Sequence, residues 1–449
     1  MSTKKTSVSF PLVNPHAAAI DVGSKFNMVC IGLEKEQIRS FGVFTEDHHQ
    51  LAQWFQDHHI QTIAMESTGI YWKSLFLILQ AYGFEVLLVN AAHIKNVRGK
   101  KSDVKDCQWI WQLHRAGLLQ GSFQPDDFTE SLRTYNRQRK NLIEGASQSV
   151  SRMQKALVLM NIQLPVVLSD ITGKSGKAII QAILNGQRNA RQLAQLADPR
   201  VKASKSDIAK ALTGHWHEQQ LFTLRQHWEQ YHFYQRQIAE CDEQIETLLQ
   251  AQTERQIQND LAYEPQKKKY RNKNAPRFDI DKYVYQLSDG VDLMSIEGIS
   301  FSTLLTLVAE VGLDLQKKFP SPKHFVSWLG LCPNNKVTGG KILSSRSRKN
   351  KNRLAHAFRQ AANTVGRQKD NTPLSLFFRK LAYRKERKAA ITATARKLAT
   401  IVYIMLVNKV PYQPLGLEDY QKQVRKHKLK HIQRTIQKLG ITSDELDFC

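Results

Sequence analysis

Between residues 15 and 120, short apolar runs rich in β-branched residues alternate with segments of helical period, and that order leaves few folds open. Strand candidates are 16–21, 26–33, 38–45, 61–66 and 84–90, and helix candidates are 47–58, 70–82 and 103–117. Three strands in succession, followed by strand–helix alternation, predict one α/β layer. The first run, AAAIDVGSKFNMVCIG, reads as a hairpin with a tight turn at Gly23-Ser24.

The period then changes. Leu132, Tyr135, Leu142, Ala146, Met153, Leu157 and Met160 recur at three-or-four spacing, as do Leu221, Leu224, Trp228, Tyr231, Ile238, Cys241, Ile245 and Leu248. Two long amphipathic helices around a small helical insertion (about 166–215) predict a long antiparallel coiled-coil arm. Such stripes are packing surfaces, so the arm is expected to serve oligomerisation, with nucleic-acid contacts along its basic outer face. Residues 251–290, with KKKYRNKNAPR, are polar, basic and proline-broken, and read as a linker or a loop that orders on nucleic acid. LMSIEGISFSTLLTLVAEVG then opens a mainly helical domain, whose Gly298 turn suits either a helix-hairpin-helix or a plain αα-hairpin. The fold class expected is α/β plus all-α, in segments 1–125, 126–250 (the arm), 251–290, 291–412 and a basic helical tail over 413–449.

The formal net charge is +25, from 65 Lys and Arg against 40 Asp and Glu. Residues 341–440 alone hold 25 Lys and Arg against Asp370, Glu386, Glu418 and Asp419. A one-signed block on apolar-patterned helices is the footprint of a polyanion, whereas a merely solvated face mixes both signs. The tail QVRKHKLKHIQRTIQKLG suits nucleic acid better than membrane on the same ground. Cys30, Cys107, Cys241, Cys332 and Cys449 form no C-x-x-C pair, which argues against zinc and disulfide frameworks. MSTKKTSVSFPLVN lacks a signal-peptide core, and the longest apolar run, LATIVYIMLV, is about half a membrane span. The expectation is a bacterial cytoplasmic, nucleoid-associated protein with no membrane partner.

Four carboxylates stand out in the α/β segment. Asp21 ends the first strand, Glu66 ends another just before a helix, and Asp103 and Asp106 lie three apart in KKSDVKDCQWIWQLHRAG, on one face of a helix. In a ribonuclease-H-like layer, strand ends and a helical first turn meet, and four such acids form a hard oxygen cage for one or two Mg²⁺ ions. Singly, Asp21 suits a turn, Glu66 a helix N-terminal charge and Asp103 an N-cap; the set in this order points to phosphodiester chemistry. Lys100, Lys101 and Lys105 flank two of the acids and can hold backbone phosphate or serve as ordinary surface charge. His48, His49, His58 and His59 read as surface residues.

Downstream, CPNNKVTGGK reads as a turn-rich loop with Thr338 directly before Gly339-Gly340, among Lys336, Lys341, Arg346 and Arg348, and followed by Arg353. A hydroxyl in a cationic loop can attack phosphorus, although most such hydroxyls bond the backbone in turns.

AAIDVGSK, AMESTGIYW, KKSDVKDC, SIEGISFSTLLTLVAEVG, WLGLCPNNKVTGGK and ITATARKLATIVYIML, in this order, resemble the DEDD transposases of the one-ten family of bacterial insertion sequences, which includes Piv-type DNA invertases. The resemblance covers nearly the whole chain. It implies an N-terminal RuvC-like domain with the four acids as metal ligands, a coiled-coil arm and a C-terminal transposase domain. It further implies a hydroxyl nucleophile joined covalently to DNA, a composite centre shared between protomers of a dimer or tetramer, donor and target DNA, and a structured guide RNA. The family's nucleophile is a serine directly before the first glycine, and here that position is Thr338. Threonine keeps the hydroxyl but restricts χ1. Three readings stand: Thr338 attacks, Ser344 or Ser345 substitutes, or strand transfer is lost. A junction nuclease using metal-activated water would need the acids and not Thr338, and a non-catalytic binding protein would need neither.

Overall fold

In the computed structural model, which describes residues 12–67, 69–90, 103–256, 262–264, 270–348, 352–414 and 416–439, the chain divides into two compact units, Met1–Gln124 and Pro125–Cys449. The first unit is built on a five-stranded mixed sheet of order β3-β2-β1-β4-β5, from β1 (Ala17–Val22), β2 (Asn27–Cys30), β3 (Ile38–Phe41), β4 (Thr62–Glu66) and β5 (Glu85–Val89). β1 to β3 are antiparallel neighbours, while β4 lies parallel to both β1 and β5. The mixed sheet with its helices fits a RuvC-like α/β domain.

Side chains alternate across this sheet, so each strand feeds two layers. Ala18, Ile20, Val22, Ile63 and Met65 pack with Leu51 and Phe55 of α1 (Thr45–Asp57) and Leu75 and Leu79 of α2 (Trp72–Ala81). Ala19, Cys30, Ala64 and Val89 face α3 (Asp103–Arg115) through Cys107, Ile110 and Trp111. The alanines leave α3 room to lie close on β1, and Trp111 fastens it by donating Nε1–H to the Ala17 carbonyl at 2.8 Å. His48 is buried rather than exposed, beside the Ser74 hydroxyl at 3.4 Å, and burial holds its imidazole below the usual pKa.

The second unit begins with α4 (Asp127–Leu159), capped by Asp126, which accepts the Thr129 N–H. It runs against α8 (Glu218–Gln256): Arg139 meets Asp242, and the His215 N–H reaches the Met160 carbonyl near the opposite end, so the pair is antiparallel. The seam buries the expected apolar residues except Tyr135, which is half-buried, with Leu249 rather than Leu248 at its far end. It also buries Asn136, Arg139 and Asp242, polar residues that the apolar stripe did not forecast. Between the two helices, α5 (Lys174–Leu184), α6 (Ala190–Gln195) and α7 (Lys205–Ala211) share one core with them through Ile179, Ile183, Leu193 and Ile208.

The linker reading of 251–290 does not hold over 270–290. Phe278 and Ile280 are buried, Ile280–Leu287 forms α9, and the Asn274 carbonyl and Arg277 N–H join the Arg139–Asp242 pair. The apolar residues between the charges supply that packing, which composition averaged over forty residues concealed.

The remainder comprises α10 (Phe301–Val311), α11 (Pro322–Trp328), a ribbon of β6 (Lys336–Thr338) and β7 (Lys341–Ser344), then α12 (Arg353–Arg367), α13 (Pro373–Arg384), α14 (Arg387–Asn408) and the basic α15 (Leu417–Leu439). Gly298 precedes α10 with φ +80°, and its Cα approaches α12 so closely that a Cβ would lie 2.5 Å from the Ala361 carbonyl oxygen. α14 is long and apolar enough to cross a membrane, contrary to the run-length expectation. Half of that apolar window is buried, with Ala395, Leu398, Ala399, Val402 and Tyr403 inside the unit, and it is accounted for as a core helix.

Candidate functional site

The register of the first sheet decides where its acids point. β1 and β4 pair in parallel up to Ile20↔Met65, so Asp21 and Glu66 are the next residues in line on neighbouring strands. Each lies two residues beyond an alanine, Ala19 and Ala64, that faces α3, and therefore on the α3 side of the sheet. α3 starts at Asp103 and carries Asp106 one residue before Cys107. The Cys107 thiol lies 3.2 Å from the Met28 carbonyl and 3.4 Å from that of Ala19, and Met28 is the cross-strand partner of Asp21. Cys107 thus pins the first turn of α3 over the ends of β1 and β2.

Asp21, Glu66 and Asp106 are half-buried, so they remain reachable from solvent. The side chain of Asp103, like Lys100 and Lys101, lies outside the described residues. Lys105 is exposed on α3. Among the described residues, no three His, Cys, Asp or Glu side chains already form a metal-holding group. The donors converging on this edge are hard carboxylate oxygens. Burial drives the Cys107 thiol well above its usual pKa, so Cys107, although next to Asp106, stays a neutral thiol. That donor chemistry fits Mg²⁺ and does not fit a soft metal.

In the second unit, the segment expected to be a loop is a β-ribbon. Thr338 is the last residue of β6 and pairs with Lys341, with Gly339 (φ +54°) and Gly340 (φ +75°) between them. Two successive positive φ angles are those of a type I′ turn, and Gly-Gly supplies them without steric cost. The dipeptide was the available signal for this hairpin. The ribbon continues to a Pro333↔Ser347 bridge and an Asn334 N–H bond to the Arg346 carbonyl. Thr338 is exposed at its tip, with exposed Lys336 and Lys341 in the same strands and Arg346 and Arg348 at the base. Ser344 ends β7, where its hydroxyl accepts the Arg346 N–H at 3.4 Å, a turn-stabilising role. Arg353 opens α12, exposed, after the Asn352 cap. Sequence reasoning missed Cys107 as a positioning residue, and missed Lys385, Lys388, Arg396 and Lys397 around a cleft below the ribbon; for Lys388, Arg396 and Lys397 the spacing along α14 was the signal.

Comparison with known proteins adds two findings. The DEDD transposase model of IS110 matches residues 18–162, which include the whole acid-bearing sheet edge. The model of the transposase IS116/IS110/IS902 family matches residues 292–376, which include the ribbon. No curated protein matches the chain. The two segments together cover just over half of the sequence, in the order of the motifs that carry the acids and the glycine turn, and the chain belongs to the IS116/IS110/IS902 family of transposases, whose substrate is DNA.

Proposed function

We propose that this transposase cuts and rejoins DNA strands with Asp21, Glu66, Asp103 and Asp106 as ligands of one or two Mg²⁺ ions and the Thr338 hydroxyl as a covalent nucleophile. The observation that carries the reading is the alignment of Asp21 and Glu66 on parallel strands, on the sheet face over which α3 brings Asp106. A divalent cation held by these acids supplies Lewis-acid stabilisation of charge at a phosphate. Thr338 loses its hydroxyl proton and forms a P–O bond as one P–O bond to the DNA strand breaks, and the departing strand oxygen takes up a proton. One phosphoester replaces another, so little free energy is lost and the exchanged strand can reverse the step. The exposed ribbon tip leaves the hydroxyl accessible, and Lys336, Lys341, Arg346, Arg348 and Arg353 are cations for the flanking phosphates. Lys100, Lys101 and Lys105 serve the same purpose beside the acids. The reading includes a structured guide RNA, for which the basic 341–440 block offers polyanion-binding surface, and a homo-oligomer.

A labelled suicide DNA substrate, incubated with protein, Mg²⁺ and RNA transcribed from the flanks of its own element, tests this on a denaturing protein gel. A labelled protein band is expected for the wild type and for Thr338→Ser, but not for Thr338→Ala or Asp21→Ala. Cleavage that survives Thr338→Ala without any adduct would leave a metal-dependent nuclease instead.

A further inference from the structure

We propose that a cationic cleft below the ribbon holds a single unpaired nucleotide of the DNA strand, with its base on an apolar floor and its phosphates on the rim. The inference rests on the reading of the chain as a strand-exchanging enzyme and adds a binding site to it. The cleft measures about 830 Å³ and lies between α13, α14 and the base of the β6–β7 ribbon. That volume falls in the range of sites for small organic ligands, about 300–1,000 Å³.

Its shape follows from the spacing on α14. Lys388, Thr392, Arg396 and Thr400 recur every four residues, and Ala389, Ala393 and Lys397 form the neighbouring row. Small side chains therefore occupy the middle of the helix face, with cations toward its ends. Phe377 and Leu381 of α13, both half-buried, complete the floor together with Leu331. Arg346 comes from the ribbon base and Lys385 from the turn between the two helices. Among the described residues, five cations line the cleft and no carboxylate does. An occupant must therefore be anionic at its margins and flat and apolar at its centre, as a nucleotide is.

A paired base cannot meet these demands, because its faces are in the stack and its edge is in the pair. The base must be splayed out. The Lys397 ammonium now lies 4.4 Å from the centre of the Phe377 ring. A cation–π contact at an accessible site is weak, so an entering base can displace that ammonium from the ring onto its own phosphate. The ribbon that forms one wall of the cleft carries Thr338 at its tip, which puts a held nucleotide on the same strand segment as the attacked phosphate.

The test measures anisotropy of fluorescein-labelled duplexes with the full-length protein at one fixed salt concentration. One DNA duplex is fully paired, one carries a single central unpaired nucleotide, and an RNA pair matches them. The wild type is expected to prefer the DNA duplex with the unpaired nucleotide by about tenfold, within what one stacked base supplies. Ala389→Trp fills the cleft from an exposed position and should reduce the preference to below about twofold while leaving the paired duplex unaffected. Phe377→Ala should do the same, which guards against misfolding of either variant. Equal binding of the paired and unpaired DNA duplexes by wild type overturns the proposal, as does a preference that survives both variants. A preference confined to the RNA pair overturns the DNA assignment. Thr338→Ala should retain the preference, so failure of the nucleophile and failure of the cleft are separable.

Discussion

Replacing Asp242 by leucine is expected to lower the apparent melting temperature of the helical unit by about 6–10 °C. Arg139 donates Nε–H and Nη2–H to the two Asp242 oxygens at 2.6 and 3.3 Å, and their side chains are only 4% and 3% exposed. Among the described residues, a leucine there leaves the buried guanidinium with one partner, the Asn274 carbonyl at 3.1 Å, and takes away the acceptor of the Arg277 N–H. Breaking one side of a buried pair costs about 3–5 kcal/mol. At the low end of the scaling for large domains, about 2 °C per kcal/mol, this gives the stated shift. The assay is ellipticity at a helical wavelength at one scan rate, read as an apparent midpoint because a chain of this size need not unfold in two states. Arg139→Met combined with Asp242→Leu removes both charges and should recover to within about 1 kcal/mol of wild type, or exceed it. A single variant melting within about 2 °C of wild type, or a double variant as unstable as the single, would refute the argument that an unpaired buried charge is what costs.

Gly298→Ala combines a positive φ with a Cβ 2.5 Å from the Ala361 carbonyl oxygen and 2.7 Å from Val365 Cγ2, and should cost about 2–4 kcal/mol by the same melt. For Asp126, burial raises the carboxyl pKa, but the Thr129 N–H and hydroxyl and the Lys318 ammonium outweigh it and hold the group below its ordinary value. Its stabilisation is therefore present above the unfolded value of about 3.9 and lost as pH falls through the lower folded value. Asp126→Ala should lose about 1 kcal/mol at neutral pH and show a shallower decline of melting temperature in that acid window. Mg²⁺ at a hundredfold excess over its Kd should stabilise the wild-type first unit by about 2.7 kcal/mol, and Asp21→Asn should abolish that shift, each protein being compared with itself in EDTA.

Much of the first unit was legible because its signals are local. β-Branched runs and their breaks located all five strands to within a few residues, and Thr45–Asp57, Trp72–Ala81 and Asp103–Arg115 fall inside or beside the expected helices. Asp21 and Glu66 were legible as strand-end acids. That they lie in line on one face depends on the Ile20↔Met65 register, which pairs residues far apart in sequence. His48 was misread because a polar neighbourhood in sequence says nothing of the Ser74 side chain that packs on it.

The second unit shows the same division. Three-or-four spacing determined that two long helices form and which stripe they bury, since that period is a property of each helix alone. It could not reveal that Arg139 and Asp242 share the seam, because a charge in an apolar stripe is tolerated only when a distant partner meets it. Gly339-Gly340 permits a tight turn by itself, yet the ribbon exists because Lys336 to Thr338 pair with Lys341 to Ser344 and Pro333 bridges Ser347. The sequence by itself determined element types, the acids' order and the basic character of the last hundred residues. Only the tertiary structure decided register, burial and the cleft, because those follow from pairings between residues that the chain keeps far apart until it folds.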